Sequence, residues 1–279
     1  MRFNEHSLID SNNHTLIKSY HSSRRPEKLD YREHHHTECE LSVILSGSGI
    51  YLVHERTYEF HPGDMFLFGS NEAHCITDIF EELDILNIHF EPRLLWEHSE
   101  TTELLNLFAA RSKSFRNRLP KEDTALRELI LELEGEISEK QDCYVIRAKY
   151  LLFSALVHIL RRYDWVDQQR AISAPSSVTR SLKRSIDHIN ENLENKLTLK
   201  EIADVACMTP NYFSSVFKKF NGISPWEYIT IKRVEKAVEM LRTTDMTKLE
   251  IAEQCGFSGS SNFYKAFFRV TGKRPGDYT

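Results

Sequence analysis

The 279-residue sequence lacks any long apolar run. Hydrophobic residues make up 41% of it and charged residues 28%, and no stretch approaches the roughly 18–20 apolar residues that a membrane helix needs. Residues 1–6 are followed by no apolar segment of the kind that a secretory signal contains. We therefore expect no membrane partner and a protein that stays in the cytoplasm.

Cysteine is scarce, and neither sign of charge dominates. The five cysteines are scattered and form no CxxC pair, which argues against a disulfide framework and against a cysteine zinc site. We expect them to be small buried residues. The net charge of -5 is unevenly divided, because residues 175–279 carry 16 Lys and Arg against 12 Asp and Glu. A basic C-terminal third permits contact with a polyanion without requiring it.

The pattern of the first ninety residues is that of short strands. Apolar segments at 41–45, 49–53, 65–68 and 83–90 are separated by turn residues, which predicts a closed β structure. Beyond Pro92 the apolar spacing becomes helical. We expect an α+β multidomain protein, with an N-terminal β-barrel and trailing helices followed by an all-α domain.

The predicted helix at 144–163 carries an apolar stripe that includes Val145, Leu152 and Ile159. This stripe either packs within the chain or offers a face to the partner helix of a homodimer. On the second interpretation, a charge at Leu152 would give monomers or unfold the domain.

Composition and periodicity together give the expected domain boundaries. Residues 1–93 are expected to form the barrel, 94–166 a helical region, 167–177 a linker rich in Gln, Ser and Pro, and 178–279 an all-α domain.

The C-terminal domain contains an internal repeat. Residues 201–204, Glu-Ile-Ala-Asp, match Glu-Ile-Ala-Glu at 250–253, and Phe213 and Phe217 match Phe263 and Phe267 fifty residues later. Each copy has a short helix with a small Ala, a tight turn and a second helix with one aromatic face, which is the spacing of a helix-turn-helix. Thr198 and Thr209 are expected N-caps in the first copy, and Ser258 or Ser260 in the second.

If the phenylalanines face inward, small polar and basic residues face outward on each second helix. Polar side chains near a helix N-terminus reach base edges, and cations further along reach phosphates. A helical bundle with solvated faces is the alternative, and the duplication disfavours it. The predicted DNA-contacting residues are Asn211, Ser214, Ser215, Lys218, Lys219, Ser260, Ser261, Tyr264, Lys265 and Arg269.

These stretches, together with Gly222-Ile223-Ser224-Pro225 and 251–257, resemble the AraC family of bacterial transcription regulators over about a hundred residues. The resemblance implies two helix-turn-helix units joined by a long helix, duplex DNA as a partner, paired half-sites read by a homodimer, and RNA polymerase as a further partner of an activator. Ser215 and Phe268 depart from the Arg and Lys that are usual in the family.

The front domain contains the first cupin motif, H-x-H-x3-E-x6-G, from His34 through His36 and Glu40 to Gly47. Gly63 begins a second motif whose histidine is His74. His34, His36, Glu40 and His74 on adjacent strands would suit a divalent iron, nickel or zinc ion. Cupin-like sensors in AraC-type regulators commonly use such histidines to bind a small polar ligand, often a sugar.

Three interpretations of these side chains stay open: a metal site, direct contacts to an effector, or hydrogen-bonded structural histidines. Asn87 and His89 extend the candidate effector site, because alternation places them on one strand face with Leu83 and Ile85. No cofactor is certain, and a divalent metal in the barrel is the candidate.

Two function classes follow from the sequence. The first is a non-enzymatic DNA-binding regulator of carbohydrate-related genes that responds to a small polar effector such as a sugar. The alternative is a metal-dependent cupin enzyme, such as a dioxygenase or sugar isomerase, fused to a DNA-binding module. The enzyme class is weaker because no further acid–base group can be assigned near the histidines.

Overall fold

The computed structural model describes residues 2–9, 15–28, 36–96, 100–109, 111–167 and 177–278. They divide into two compact units, the first built by the strands and helices up to residue 167 and the second by the helices from Ser177 onward. Within the described ranges, no helix combines the length and the apolar character that crossing a bilayer requires.

Two antiparallel sheets form the body of the first unit. Their orders are β1-β2-β9-β4-β7-β10 and β3-β8-β5-β6. The two sheets share an aromatic core that includes Tyr51, Phe60, Phe66 and Phe68. The strands are β1 (Arg2–Ile9), β2 (Thr15–Arg24), β3 (Glu27–Lys28), β4 (Cys39–Ser46), β5 (Gly49–Val53), β6 (Arg56–Phe60), β7 (Met65–Phe68), β8 (His74–Ile79), β9 (Leu83–Phe90) and β10 (Arg118–Leu119).

The register of the larger sheet brings polar residues together at one end of this core. Glu40 on β4 pairs with His89 on β9, and Ser42 pairs with Asn87. On the other side of β9, Tyr20 on β2 pairs with Asn87. Because side chains alternate along a strand, these residues lie on the face that carries Leu83 and Ile85 deeper in the core.

The region after the barrel contains helices and also a strand. Two 3-10 segments (Pro92–Trp96 and Glu100–Leu105) and α1 (Asn106–Ala109) precede β10, and α2 (Thr124–Glu139) and α3 (Tyr144–Arg162) follow it. The expectation that 94–166 is helical is therefore wrong at β10, which pairs with β7. Sequence periodicity missed it because two residues are too short to show alternation.

The apolar stripe of α3 packs within the chain. Leu152 and Ile159 are fully buried, Leu151 is nearly so, and Val145 is half-buried. The interpretation that this stripe meets a partner helix is wrong, because α2 and the neighbouring segments already cover it. A charge at Leu152 is therefore expected to unfold the unit.

The second unit is wholly helical in its described residues. Its two repeated helix pairs are α5–α6 and α8–α9, and the long helix α7 joins them. Phe263 and Phe267 of α9 pack against α7 through Val234, Ala237 and Leu241. The helices are α4 (Ser177–Glu191), α5 (Leu199–Val205), α6 (Pro210–Asn221), α7 (Pro225–Thr243), α8 (Lys248–Gln254) and α9 (Ser260–Thr271), followed by a 3-10 turn at Pro275–Tyr278.

Helix caps fix the ends of the repeated elements. Ser224 and Thr247 form capping boxes with Glu227 and Glu250, and Thr198 accepts the backbone N–H of Glu201. The expected serine cap of α9 is wrong. Its N-cap is Gly259, with no side-chain hydrogen bond, and the Ser258 hydroxyl accepts a hydrogen bond from the side chain of Asn262 instead.

The cysteines only partly follow expectation. Cys39, Cys75 and Cys255 are buried, whereas Cys143 and Cys207 are exposed. Both exposed residues have positive φ values of 64° and 56° and lie next to helix ends. Their positions depend on turn geometry, which cysteine counts do not reveal.

Candidate functional site

The polar end of the barrel contains a carboxylate surrounded by imidazoles. Glu40 is 3% exposed, and its Oε2 lies 2.9 Å from His36 Nε2, 3.2 Å from His74 Nε2 and 3.0 Å from His89 Nε2. The Ser42 hydroxyl donates to the other oxygen, Oε1. Burial raises the pKa of Glu40, but the three imidazoles outweigh it and hold that pKa well below its usual range. The carboxyl is therefore ionised at neutral pH.

Backbone carbonyls orient two of the histidine rings. His36 Nδ1 lies 3.0 Å from the carbonyl oxygen of Glu38, and His74 Nδ1 lies 2.8 Å from that of Glu72. Because a carbonyl only accepts, each Nδ1 carries a hydrogen and each Nε2 faces Glu40. Burial lowers the pKa of His74. The hydrogen bond to Glu40 and the Coulombic attraction of that carboxylate together outweigh burial, so the pKa of His74 is raised. The Glu40 carboxylate therefore favours the protonated form of His74.

Tyr20 completes the cluster, and sequence reasoning missed it. Its hydroxyl lies 2.7 Å from His89 Nε2. Tyr20 belongs to β2, a strand in which the sequence shows no motif. Burial, and then the charge of Glu40, raise its pKa, so the hydroxyl stays neutral. Asn87 Oδ1 lies 3.0 Å from the Ser42 hydroxyl. Only the pairing of β2 with β9 reveals that Tyr20 belongs here.

Of the six predicted metal or effector residues, four lie together, a fifth lies beside them and the sixth is not described. His36, Glu40, His74 and His89 converge, Asn87 borders them, and His34 lies outside the described residues. The ligand atoms of His36, Glu40 and His89 lie within 4.8 Å of one another. Three imidazole nitrogens, two of them in rings whose Nδ1 is anchored to a backbone carbonyl, together with one carboxylate oxygen, are a donor set that zinc, iron or nickel would accept.

Flat rings lie beside this polar cluster. Phe68 stacks on His74 with ring centroids 4.0 Å apart, and His36 stacks on His89 at 4.2 Å. Lys18 lies 3.4 Å from Glu38 at the edge of the same sheet face. The end of the barrel therefore combines hydrogen-bonding groups with ring surfaces, which is the composition of a small-molecule site.

The first repeated unit exposes a polar and basic helix face. In α6, Phe213 and Phe217 are fully buried. The predicted residues Asn211, Ser215, Lys218 and Lys219 are exposed and Ser214 is half-buried. Tyr212, which the sequence analysis did not select, is 54% exposed on the same side. The inward and outward faces therefore divide as the aromatic spacing indicates.

The second repeated unit exposes a comparable face on α9. Phe263 and Phe267 are buried, and the predicted residues Ser260, Ser261, Tyr264, Lys265 and Arg269 are exposed. Lys265 and Arg269 line a cleft of about 820 Å³ whose other walls include Thr230 and Arg233 of α7. This cleft gives the cations of α9 a concave setting.

Both second helices approach the start of α7. Glu227 there has a lowered pKa, first because of its capping hydrogen bonds with Ser224 and then because of the charges of Lys218 and Arg269. A cation from each repeat is thus close enough to act on one carboxylate.

Comparisons with known proteins agree with this division. Residues 16–156 match the family model described as an AraC-like ligand binding domain, and residues 202–279 match a helix-turn-helix domain model. Over 258 residues, 92% of this chain, the sequence is 25% identical to the HTH-type transcriptional activator RhaR of Escherichia coli O139:H28 (strain E24377A / ETEC), of which 89% is covered.

The solved structures that match include one partial and one nearly full-length match. The C-terminal domain of AraT, a response regulator from Geobacillus stearothermophilus, is 32% identical over 37% of this chain and 86% of that chain, with a TM-score of 0.35. ToxT from Vibrio cholerae is 13% identical over 94% of this chain and 97% of that chain, with a TM-score of 0.43.

The ligand-binding model alone spans half of the sequence, and the helix-turn-helix model covers the repeated units. The relatives are regulators of transcription, so the enzyme alternative has no support. The chain belongs to the AraC family of DNA-binding transcription regulators.

Proposed function

We propose that this regulator binds a small polar effector of the size of a sugar at the Glu40 cluster, controls carbohydrate-related genes, and contacts DNA as a homodimer through the exposed faces of α6 and α9. The observation that carries the proposal is the buried Glu40 carboxylate with three imidazole nitrogens around it.

Burying such a cluster costs free energy, and the fold does not need a charged group at this place. Removing an ionised carboxylate from water costs several kcal/mol even after relaxation, and apolar residues of similar volume often stabilise a core as well or better. Buried groups with strongly shifted pKa values are concentrated at functional sites. The cluster, with the hydroxyls of Tyr20 and Ser42 beside it, offers donors and acceptors that match a polyhydroxylated molecule.

A divalent metal is the second candidate occupant. His36, Glu40 and His89 supply two nitrogens and one oxygen within reach of one ion, and His74 faces the same carboxylate oxygen. His34 is the further predicted ligand. A metal would supply a charged centre to which effector hydroxyls could bind, while the protein residues orient both.

The test is a thermal-shift screen of the full-length protein against a panel of monosaccharides, and against Zn²⁺, Ni²⁺ and Fe²⁺ separately. We expect at least one monosaccharide to stabilise the wild type and Glu40→Gln to remove the effect. Glu55→Gln, an exposed carboxylate in the same barrel, is the matched control and keeps the response. A shift with metal alone supports the metal candidate, and no shift with any sugar or metal contradicts the proposal.

DNA recognition rests on the two outward faces. Ser and Asn side chains near the helix N-termini are suited to base edges, and Lys218, Lys219, Lys265 and Arg269 are suited to phosphates. Two such helices in one unit span adjacent major-groove segments about one helical turn apart. Selection of binding sequences from random duplex DNA, followed by footprinting at moderate salt, tests this, and binding without sequence preference would contradict it.

The homodimer surface that we propose is the outer side of α3. Its apolar residues recur at spacings of four and three, the repeat of a two-helix seam, and they are exposed or half-buried. Ile146 is 72% exposed and Tyr150 is 69% exposed. The seam consists of Ile146, Tyr150, Phe153, Val157 and Leu160.

Charge favours a second, antiparallel copy as the occupant. Arg161 and Arg162 lie at the C-terminal end of α3, and Glu139 and Asp142 lie near its N-terminal end, all exposed. Antiparallel α3 helices in a two-fold dimer place each basic end beside the partner's acidic end and oppose the helix dipoles favourably.

Analytical ultracentrifugation tests the dimer. We expect dimers of the wild type at micromolar concentration and monomers of Tyr150→Asp, because the dimer would then bury an unpaired carboxylate against the apolar residues of the partner helix. Ala125→Asp, at an exposed position in the first turn of α2, is the control and stays dimeric. A monomeric wild type, or a dimeric and folded Tyr150→Asp, contradicts the proposal.

The remaining assignments complete the proposal. Residues 1–93 would sense the effector, 94–166 would carry the dimer helices, 167–177 would act as linker and 178–279 would bind DNA in the cytoplasm. RhaR is named a transcriptional activator. By analogy we propose activation, with RNA polymerase as a partner, and a reporter gene behind a selected operator distinguishes activation from repression.

A further inference from the structure

The effector cluster is connected to a second buried polar network through Glu72. The backbone carbonyl of Glu72 accepts the Nδ1 hydrogen of His74 at 2.8 Å, so a change at the His74 ring acts directly on this residue. Glu72 lies in the turn between β7 and β8 and is 9% exposed. It therefore stands one hydrogen bond away from the Glu40 cluster.

The Glu72 side chain is held from several directions. Arg111 Nη1 and Nη2 donate to its two oxygens at 2.7 and 2.8 Å, and the Asn117 amide donates at 2.9 Å. The backbone N–H of Gly69 donates at 2.7 Å. A two-pronged guanidinium–carboxylate pair fixes orientation as well as distance.

Arg111 in turn belongs to a segment that is joined to residues 164–166. Arg111 pairs as an isolated bridge with Val166, and the Ser112 backbone N–H donates to the Trp165 carbonyl at 2.8 Å. The Ser112 hydroxyl donates to the Asp164 carbonyl at 2.8 Å. The Arg111 guanidinium also lies 3.9 Å from the centre of the Phe115 ring, which packs edge-on against Trp165.

Residues 164–166 directly precede the predicted linker in the sequence. A continuous set of contacts thus runs from His74 to Glu72, from Glu72 to Arg111 and from Arg111 to residues 164–166, which precede that linker. A buried ion pair is weak evidence of stability, because its desolvation offsets most of its attraction, whereas its geometry is highly specific.

We propose that Arg111 is a positioning residue that transmits the state of the effector cluster to residues 164–166 and hence to the linker. This inference rests on the proposed function of the Glu40 cluster. A ligand regulates only if it favours one of two arrangements, and the Glu72–Arg111 pair supplies a defined arrangement for it to favour or disturb.

The chain contains a matched control pair. Arg118 donates from Nε at 3.1 Å and from Nη2 at 2.8 Å to the fully buried Asp64. This pair lies in the same unit and also joins the barrel to the segment after it, but Arg118 is on β10 and makes no described contact with residues 164–166. A merely structural role predicts similar behaviour for the two arginines.

The experiment uses the full-length protein and takes His74→Ala as the perturbation, so no effector is required. Hydrogen–deuterium exchange is measured at the Ser112 amide, which donates to Trp165. We expect His74→Ala to accelerate its exchange by about tenfold, within the usual range of coupling between sites. In the Arg111→Met background, His74→Ala should add less than about twofold, whereas in the Arg118→Met background the tenfold effect should persist.

Operator affinity is the second readout. We expect His74→Ala and Arg111→Met to change affinity for a selected operator in the same direction, and the double variant to change it no further, because groups acting in series are not additive. Arg111→Lys, which keeps the charge but loses the two-pronged geometry, should behave like Arg111→Met. Additive effects, or equal effects of Arg111→Met and Arg118→Met, would overturn the inference.

Failure of the effector proposal is distinguishable from failure of this one. If no sugar or metal binds the cluster but the exchange coupling persists, the transmission stands and the sensing role is wrong. If a sugar binds and Glu40→Gln abolishes that binding, but the exchange coupling is absent, Arg111 is only a structural residue.

Discussion

The two units differ in where they place the charged groups of their candidate sites. The first buries an ionised carboxylate and its imidazoles inside the barrel, whereas the second fills its interior with apolar residues and keeps its cations outside. A site built inside a core is tied to the stability of that core. A site built on a surface is free to change without affecting the fold.

This difference explains the contrast between the two kinds of recognition. DNA is a large polyanion that a rigid helix face reaches from outside, so ordinary core packing is enough to present the cations. A small molecule has to be surrounded, and the groups that contact it are removed from water with it. The first unit therefore carries the costs of buried charge that the second avoids.

The largest expected effect tests the apolar side of the comparison. Phe267→Ala should lower the free energy of unfolding of the second unit by about 3–5 kcal/mol, because it removes a fully buried ring between α9 and α7 and leaves a cavity. Hydrogen–deuterium exchange, which follows the units separately, measures it. Phe268→Ala, at a ring that is 57% exposed, should change stability by less than about 0.5 kcal/mol. Equal effects of the two variants would show that α9 is not packed as described.

Sequence alone predicted the second unit more completely than the first. Phe213, Phe217, Phe263 and Phe267 recur at a fixed offset with helical spacing, and both features are visible in one dimension. Their inward positions were confirmed. The wrong prediction in this unit is local. The N-cap of α9 is Gly259 and not a serine, because the helix begins one residue away from the predicted start.

The candidate site of the first unit was predictable only where a motif or the alternation of a strand marks its residues. His36, Glu40 and His74 follow cupin spacing, and alternation along β9 brought Asn87 and His89 into the prediction. Tyr20, Ser42, Glu72 and Arg111 have no motif, because strand pairing between residues distant in sequence brings them together. The apolar residues of α3 show another limit, since periodicity finds an apolar face without telling which partner covers it.

The next effect tests the buried charge. Glu40→Ala should destabilise the first unit by about 3 kcal/mol, since the imidazoles then lose their hydrogen-bond acceptor while they stay away from water. Urea unfolding with exchange detection measures it, and Glu55→Ala on the exposed turn is the control. A loss below about 1 kcal/mol would mean that water or rearrangement compensates, and that the site and the core are less strongly linked than argued.

A smaller effect concerns Asp123, which joins α2 to α3. Its carboxylate accepts hydrogen bonds from Tyr163 and His158 and from the backbone N–H of Leu126. Burial raises its pKa, but the hydrogen bonds from Tyr163 and His158 outweigh it, and the pKa is lowered. A lowered pKa in the folded state means that the stabilisation is complete above the unfolded pKa and is lost as pH falls through the folded pKa.

Asp123→Asn should therefore cost about 1–2 kcal/mol at pH values near 6, and the difference from wild type should shrink below about pH 4. Urea unfolding of both proteins from about pH 6 down to about pH 2 measures the trend. Asp142→Asn, an exposed carboxylate in the connection between α2 and α3, should show no such dependence. A difference that is constant with pH would contradict the role of the charge.

The smallest effect on stability should accompany a large effect on function, at the surface of the second unit. Lys218 is exposed on α6, and its ammonium makes no contact that the fold requires within the described residues. Lys218→Ala should leave the unfolding free energy within about 0.5 kcal/mol of wild type, because exposed ion pairs and solvated cations contribute little. It should weaken binding to all duplex sequences to a similar degree and reduce the slope of log affinity against log salt by about one, as expected for one lost phosphate contact.

Fluorescence anisotropy across a salt series measures both quantities, and Lys200→Ala, outside the proposed face, is the matched control. A change in sequence preference without a change in slope would instead assign Lys218 to a base, and an unchanged slope with unchanged affinity would remove it from the DNA surface.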